Sequence, residues 1–284
     1  MLTLWSADPL GLALTPLLAF GYALLLILRR SRGVAVSDGR WPLWRTAAFG
    51  SGCLLLAWIL AGWPQAARSD VQWLDGLSLG LLAAVVPFAM ALGDPVRLLE
   101  QARGRPVAWI RGRAARIILF PLVGGVINAS VLIVACTTGW YGATRQQAGP
   151  WALLRLATLV SGALVCLPLL TEDLVPTWCT PGIKTLLAFL DGFVDAFPGI
   201  AFAVTVDWTT GLTLLAVTEA VGLPMVLAVL VGWVRSDESE AAALDARLDE
   251  QQAAAAGGAD GAQDAPWWLS DPRVAERFRR PGPP

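Results

Sequence analysis

Seven stretches of this chain run for about twenty residues with few polar side chains, and the segments between them hold most of the charge. They cover residues 10–28, 46–63, 71–92, 117–136, 151–170, 183–204 and 212–234. A hydrocarbon layer of about 30 Å takes about 20 helical residues at 1.5 Å each, so each stretch reads as a spanning helix. The pattern predicts an all-α polytopic membrane bundle of about seven transmembrane helices. The 71–92 and 183–204 stretches are the most interrupted, by Asp75 in one and by Asp191 and Asp195 in the other.

The basic residues give the bundle a direction. Arg29, Arg30, Arg32, Arg40 and Arg45 flank the first connection, and Arg97, Arg103, Arg105, Arg111, Arg113 and Arg116 the third. Lys184 borders the fifth, and Arg235, Arg247, Arg273, Arg277, Arg279 and Arg280 follow the last run. The exceptions among the 21 Lys and Arg are Arg68 and Arg145, in even-numbered connections, and Arg155, inside the fifth run. Because cytoplasmic loops accumulate Lys and Arg, the N-terminus is expected outside and the C-terminus in the cytoplasm. Trp41, Trp44, Trp63, Trp73, Trp140, Trp151, Trp208 and Trp233 fall at run ends, where an indole favours the headgroup layer. Arginines follow the first run rather than precede it, and no small-residue cleavage site stands beyond. That run reads as a retained anchor. No internal repeat marks an inverted-repeat transporter.

After Val234 the character changes, which divides the chain into a transmembrane domain over 1–236 and a tail over 237–284. Residues 236–252 are acidic and helix-prone, residues 253–262 are rich in Ala and Gly, and Trp267-Trp268-Leu269 precedes a Ser-Asp-Pro turn. The expectation is a cytoplasmic, partly disordered tail with a short helix. It either docks on the membrane or a partner, or is simply solvated.

Composition narrows the chemistry. Hydrophobic residues make up 56% of the 284 and charged residues 15%, against about 25% charged in soluble domains. Mean hydropathy is +0.59. A formal net charge of -1 leaves no basic excess for a phosphate backbone, so no nucleic-acid partner is expected and the lipid bilayer is the evident one. There are no histidines, which removes the Ser-His-Asp triad, the histidine metal site and the imidazole base. The four cysteines show no CxxC spacing, and P-loop, GxSxG, HExxH and GxGxxG patterns are absent. No catalytic residue emerges, and the chain does not read as an enzyme.

The candidate residues are charges within the spans, since one at the bilayer centre costs about 2.5–3.5 kcal/mol and needs a reason. Asp75, Arg155 and Asp195 are expected at similar depth in the outer half, with Arg155 pairing one carboxylate or both. Asp191 and Glu219 are further intramembrane acids, Asp191 sharing a helix face with Asp195. These charges form either an outward-facing cation or proton site, or an Arg–carboxylate cluster that fixes helix packing. The soft side chains Cys53, Cys136, Cys166, Cys179, Met90 and Met225 are expected at different depths, so no metal site is assigned. Pro87, Pro121, Pro168, Pro198 and Pro224 are expected to kink their helices. Gly124-Gly125 allows close approach or a bend.

These positions carry a resemblance. Pro87 with Leu92-Gly93-Asp94-Pro95, then Gly162, Pro168, Asp173 and Pro176, then Asp195-Ala196-Phe197-Pro198-Gly199, then Trp233 to Glu238 with Asp245, occur in an order similar to that of the CtaG-type cytochrome c oxidase assembly proteins. The resemblance implies a multi-pass protein of the plasma membrane, associated with copper insertion into the oxidase. Its implied partners are oxidase subunits or a copper chaperone. Where that family carries histidine, this chain has Asp75 and Leu79, Arg155 and Ala157, and Asp195. Copper is therefore implied by the family and not by the residues. The family's Asp-Gln pair before the last span is missing, and Thr209 and Thr210 stand near that place. The expected function is an accessory protein for oxidase assembly. The alternatives are a small-cation or metal-ion transporter using the carboxylates, and a scaffold whose tail recruits a partner.

Overall fold

The computed structural model describes residues 9–32, 40–107, 112, 115, 118–170 and 181–256. The chain divides into two compact units, Met1–Val231 and Gly232–Pro284.

Lipid-like surroundings invert the usual burial pattern. Helix α1 (Pro9–Ser31) exposes Leu12, Leu17, Phe20, Leu24 and Ile27 while burying Tyr22 and Arg29. In water such a surface would be a large apolar patch; in hydrocarbon it meets its like. Helix α2 (Leu43–Ala61) runs into a single turn, α3 (Trp63–Ala66), across Gly62. The next span is assembled from α4 (Trp73–Gly80), a π-turn at Leu81–Val85 and α5 (Val86–Leu92). Pro87 accounts for the π-turn: its ring displaces the carbonyl four residues back, that of Ala83, and it brings no N–H to the ladder.

A short amphipathic helix, α6 (Pro95–Arg103), buries Leu98 and Ala102. Helix α7 (Pro121–Thr137) starts with its proline at the first helical position. It then bends by 72° into α8 (Trp140–Gln146). Helices α9 (Ala148–Leu170), α10 (Pro181–Thr205) and α11 (Trp208–Ala256) follow.

Among the described residues, five helices are long and apolar enough to cross a membrane, or six if the bent α7–α8 pair is one span. The pattern predicts seven. The difference lies at two places: the 117–136 run sits mostly in α7, which turns into α8, and the 212–234 run is helical within α11. That helix continues unbroken through the acidic segment to Ala256, so the short tail helix expected there is the end of a long one. The residues of the second unit described before Gln252 are almost all exposed. The Trp267-Trp268-Leu269 element lies outside the described residues.

Helix α7 packs on α9 and α10, α9 on the π-turn and α5, and α2 on α1 and α5. Leu79, Leu132, Trp151, Leu154, Phe202 and Leu214 share one buried cluster, and Leu56, Ile59, Leu60, Leu82 and Val86 another. At Gly162 a Cβ would overlap the Ala83 carbonyl and the Pro87 ring. The carbonyl that Pro87 turns out of its helix is thus the one that α9 lies against, and only glycine lets the backbones meet there.

Candidate functional site

Asp75 stands in the first turn of α4 with 0% exposure, so its carboxylate is fully removed from solvent. Its compensation comes from two other parts of the chain. Arg68, in the turn after α3, donates from Nε to Oδ1 at 3.0 Å and from Nη2 to Oδ2 at 3.3 Å. Helix α8 supplies Arg145, whose Nη1 donates to Oδ2 at 3.0 Å, and Tyr141, whose hydroxyl donates to Oδ2 at 2.8 Å. Oδ2 accepts three of these bonds and Oδ1 one, so both carboxylate oxygens are engaged. The arginines are themselves tied down: Arg68 Nη1 donates to the Thr144 carbonyl at 3.2 Å, and Arg145 Nη1 to the Arg68 carbonyl at 3.0 Å. The 72° bend is what lays α8 across the end of α4. The result is a latch joining the post-α3 turn, α4 and α8.

Arg155 lies beside this latch rather than in it. It is 2% exposed on α9, and its Nη1 donates to Gln65 Oε1 at 3.1 Å. The same oxygen accepts from Trp151 Nε1 at 2.9 Å. The Trp151 ring has the Arg68 guanidinium 3.8 Å from its centroid and that of Arg155 at 5.2 Å, both within cation–π range. The expected pairing of Arg155 with Asp75 or Asp195 is therefore corrected: Arg68 and Arg145 occupy Asp75, and Arg155 turns to Gln65 of α3. A cavity of about 270 Å³ opens here, lined by Gln65, Arg68, Thr144, Arg145, Trp151 and Arg155 among others.

Asp195 belongs to a second polar group, with partners on α7 and α9. Asn128 Nδ2 of α7 donates to its Oδ1 at 3.5 Å, and Ser161 of α9 donates to Asn128 Oδ1 at 2.9 Å. Glu219 of α11 is close enough to interact electrostatically with Asp195. Glu219 also lines a mainly apolar cleft of about 430 Å³ with Phe189, Phe193, Leu223 and Leu227. Asp75, Arg155 and Asp195 thus do not form one cluster. The side chain of Asp191 is outside the described residues, as are Asp173 and Pro176.

The remaining sequence candidates shape the backbone. Gly93 caps α5 and its carbonyl accepts from the Tyr22 hydroxyl at 2.9 Å. Asp94, in left-handed conformation with φ 48°, caps α6 by accepting from Arg97 N at 3.3 Å, and Pro95 takes the first helical position. Pro168 lies in the last turn of α9, two residues before its end. A Cβ on Gly199 would press on Leu215, so this glycine serves close packing of α10 on α11. Thr209 and Thr210 have a local role. Both hydroxyls, together with the Thr210 amide, donate to Asp207 Oδ2, which caps α11. These bonds, that of Thr209 foremost, hold the Asp207 carboxyl below its ordinary range.

The donor set does not suit copper. Cys53 packs with Met90 in one cluster, Cys136 lies in another, and Cys166 points toward the Ala84 carbonyl. Among the described residues no three His, Cys, Asp or Glu side chains gather as a metal group. Both oxygens of Asp75 already accept from guanidinium or phenol protons.

Sequence reasoning missed Arg68, Arg145, Tyr141, Gln65 and Asn128. A signal for two of them existed. Arg68 and Arg145 are the basic residues found in the even-numbered connections, and both bind the one buried carboxylate nearby.

Long apolar helices with lipid-type surfaces, closed by buried ion pairs, define a multi-pass helical membrane protein. Within that class the family is specific. The model of the cytochrome c oxidase caa3 assembly factor (Caa3_CtaG) matches residues 20–236, and the chain belongs to that family. No curated protein and no solved structure matches it.

Proposed function

We propose that this chain acts in the cytoplasmic membrane as a non-enzymatic accessory factor for assembly of a caa3-type oxidase, with oxidase subunits as its partners. The family match over residues 20–236 carries this reading, since it spans the bundle from α1 into α11. The chemistry of the latch supports a scaffold rather than a metal carrier. Two guanidiniums already stand on the Asp75 carboxylate, and they would repel a cation brought to it. Deleting the gene should lower the amount of assembled oxidase and its activity, and the intact chain should restore both. Full oxidase assembly in the deletion strain would overturn the proposal.

A second reading, small-cation transport, draws on Asp195, Asn128 and Glu219 lying together within the bundle. Proteoliposomes containing the protein would then pass protons or sodium ions, and Asp195→Asn would stop the flux. Flux no greater than in empty liposomes would remove that reading.

A further inference from the structure

A second concentration of arginine lies away from the latch, where the end of α1 meets the start of α2 and the exposed face of α6. Arg29, Arg40, Arg45 and Arg97 line one cavity of about 120 Å³, together with Trp41, Pro42 and Gln101. Four guanidiniums crowded in one cleft repel one another unless an anion holds them. Among the described residues, Asp94 brings a carboxylate to this group, bonded to Arg45 Nη1 at 2.7 Å. Arg40 and Arg97 make no ion pair with any described residue.

Two buried donors of the cleft lack an acceptor among the described residues. Arg45 Nε is buried without one, and Trp41 Nε1, beside the Tyr22 hydroxyl, has none in hydrogen-bonding geometry. Part of the frame is firm. Arg29 is 3% exposed and donates from Nε to Gln101 Oε1 at 2.6 Å. The Trp41 ring holds the Arg29 and Arg45 guanidiniums at 5.4 and 5.2 Å. The cleft sits where two spans end, with Trp41 and Trp44 beside it, which is headgroup depth. Basic pockets between membrane helices at that depth suit phosphate oxygens, and arginine forks match them in pairs.

We propose that this cleft binds a phosphate group, through Arg40 and Arg97 with the Arg45 Nε–H. At this depth the phosphate is carried by an anionic phospholipid or arrives as the free ion.

Native mass spectrometry of the full chain, released from micelles holding equal phosphatidylglycerol and phosphatidylcholine, tests the lipid source. One phosphatidylglycerol per chain should be retained in preference to phosphatidylcholine. Arg40→Gln with Arg97→Gln should reduce that retention by about fivefold for each guanidinium removed, roughly 25-fold together. Both side chains are exposed, so the unliganded melting temperature should not change. The exposed pair Arg103 and Arg105, both changed to Gln, controls for diffuse charge and should leave retention within about twofold.

A free-ion source would appear instead as a rise in melting temperature with millimolar inorganic phosphate in phosphatidylcholine micelles, absent from the Arg40/Arg97 variant. The proposal is overturned if neither probe distinguishes that variant from the wild type, or if both arginine pairs lose lipid equally.

Discussion

Changing Asp75 to Asn removes one charge and leaves the shape of the side chain nearly intact, which makes it the sharpest probe of the latch. The wild-type carboxylate is fully buried, while Arg68 and Arg145 keep 14% and 27% side-chain exposure. Removing one member of a buried pair typically costs about 3–5 kcal/mol, because the remaining charge is left uncompensated. Here the arginines retain some solvent, and Arg68 keeps its face on Trp151, so the low end, about 3 kcal/mol, is expected. At about 2 °C per kcal/mol for a chain of this size, the melting temperature should fall by about 6 °C. The buried thiols Cys53, Cys136 and Cys166 supply the assay, since a thiol-reactive dye reports their exposure as the bundle opens in detergent. Arg68→Gln alone should cost less, because Arg145 and Tyr141 stay on the carboxylate. Combined with Asp75→Asn it should cost less than the sum of the two. An Asp75→Asn protein that melts within about 1 °C of the wild type would refute the latch as a source of stability.

Arg155→Leu and Asp195→Leu should add without coupling. Arg155 and Ser161, the α9 end of the Asp195 group, are six residues apart, about 9 Å along the helix, and coupling measured by melting temperature would contradict the separation. Gly162→Leu should sharply reduce the yield of folded protein, because a side chain there meets the Ala83 carbonyl and the Pro87 ring; normal monodisperse yield on size exclusion would count against that contact. Ser161→Ala should cost about 0.6 kcal/mol, the average for one interhelical hydrogen bond in a membrane bundle, read by the same dye. Asp207→Ala should lower the melting temperature at neutral pH by removing the α11 cap. Because the folded carboxyl titrates below its ordinary value, this stabilisation is complete above that value and vanishes as pH falls through the folded one. A difference between variant and wild type that persists at the lowest pH would refute the charge's role.

The spans were legible because hydrocarbon thickness converts directly into run length along the chain. The bend between α7 and α8 was not, since Thr138-Gly139 is an unremarkable break whose angle is set by what α8 packs against. Arg68 and Asp75 are seven residues apart and within reach of inspection. Arg145 and Tyr141 lie about seventy residues further on and reach Asp75 only because of that bend. Arg155 misled for a physical reason. Depth along a span can be counted from sequence, but the direction a side chain faces around the helix depends on neighbours, and Gln65 of α3 was an acceptor that counting depth did not reveal. The carboxylates drew attention by their cost in hydrocarbon, whereas Gln65 and Asn128, which satisfy buried donors and acceptors, carry no charge to betray them.

The latch bears on how a family member without histidine keeps its bundle closed. Inside a bilayer, apolar burial does little to draw helices together, because lipid tails are as apolar as leucine, and close packing and polar contacts must do so. Gly162 supplies packing between α9 and the π-turn, and the Asn128–Ser161–Asp195 group supplies polar contact among α7, α9 and α10. The end of α4 has no comparable glycine contact with α8, and there Asp75 supplies the polar contact. A carboxylate held by Arg68, Arg145 and Tyr141 joins the helices through fixed side chains and carries no ion to hand over. If this protein assists an oxidase, its contribution at this end of the bundle is a fixed shape.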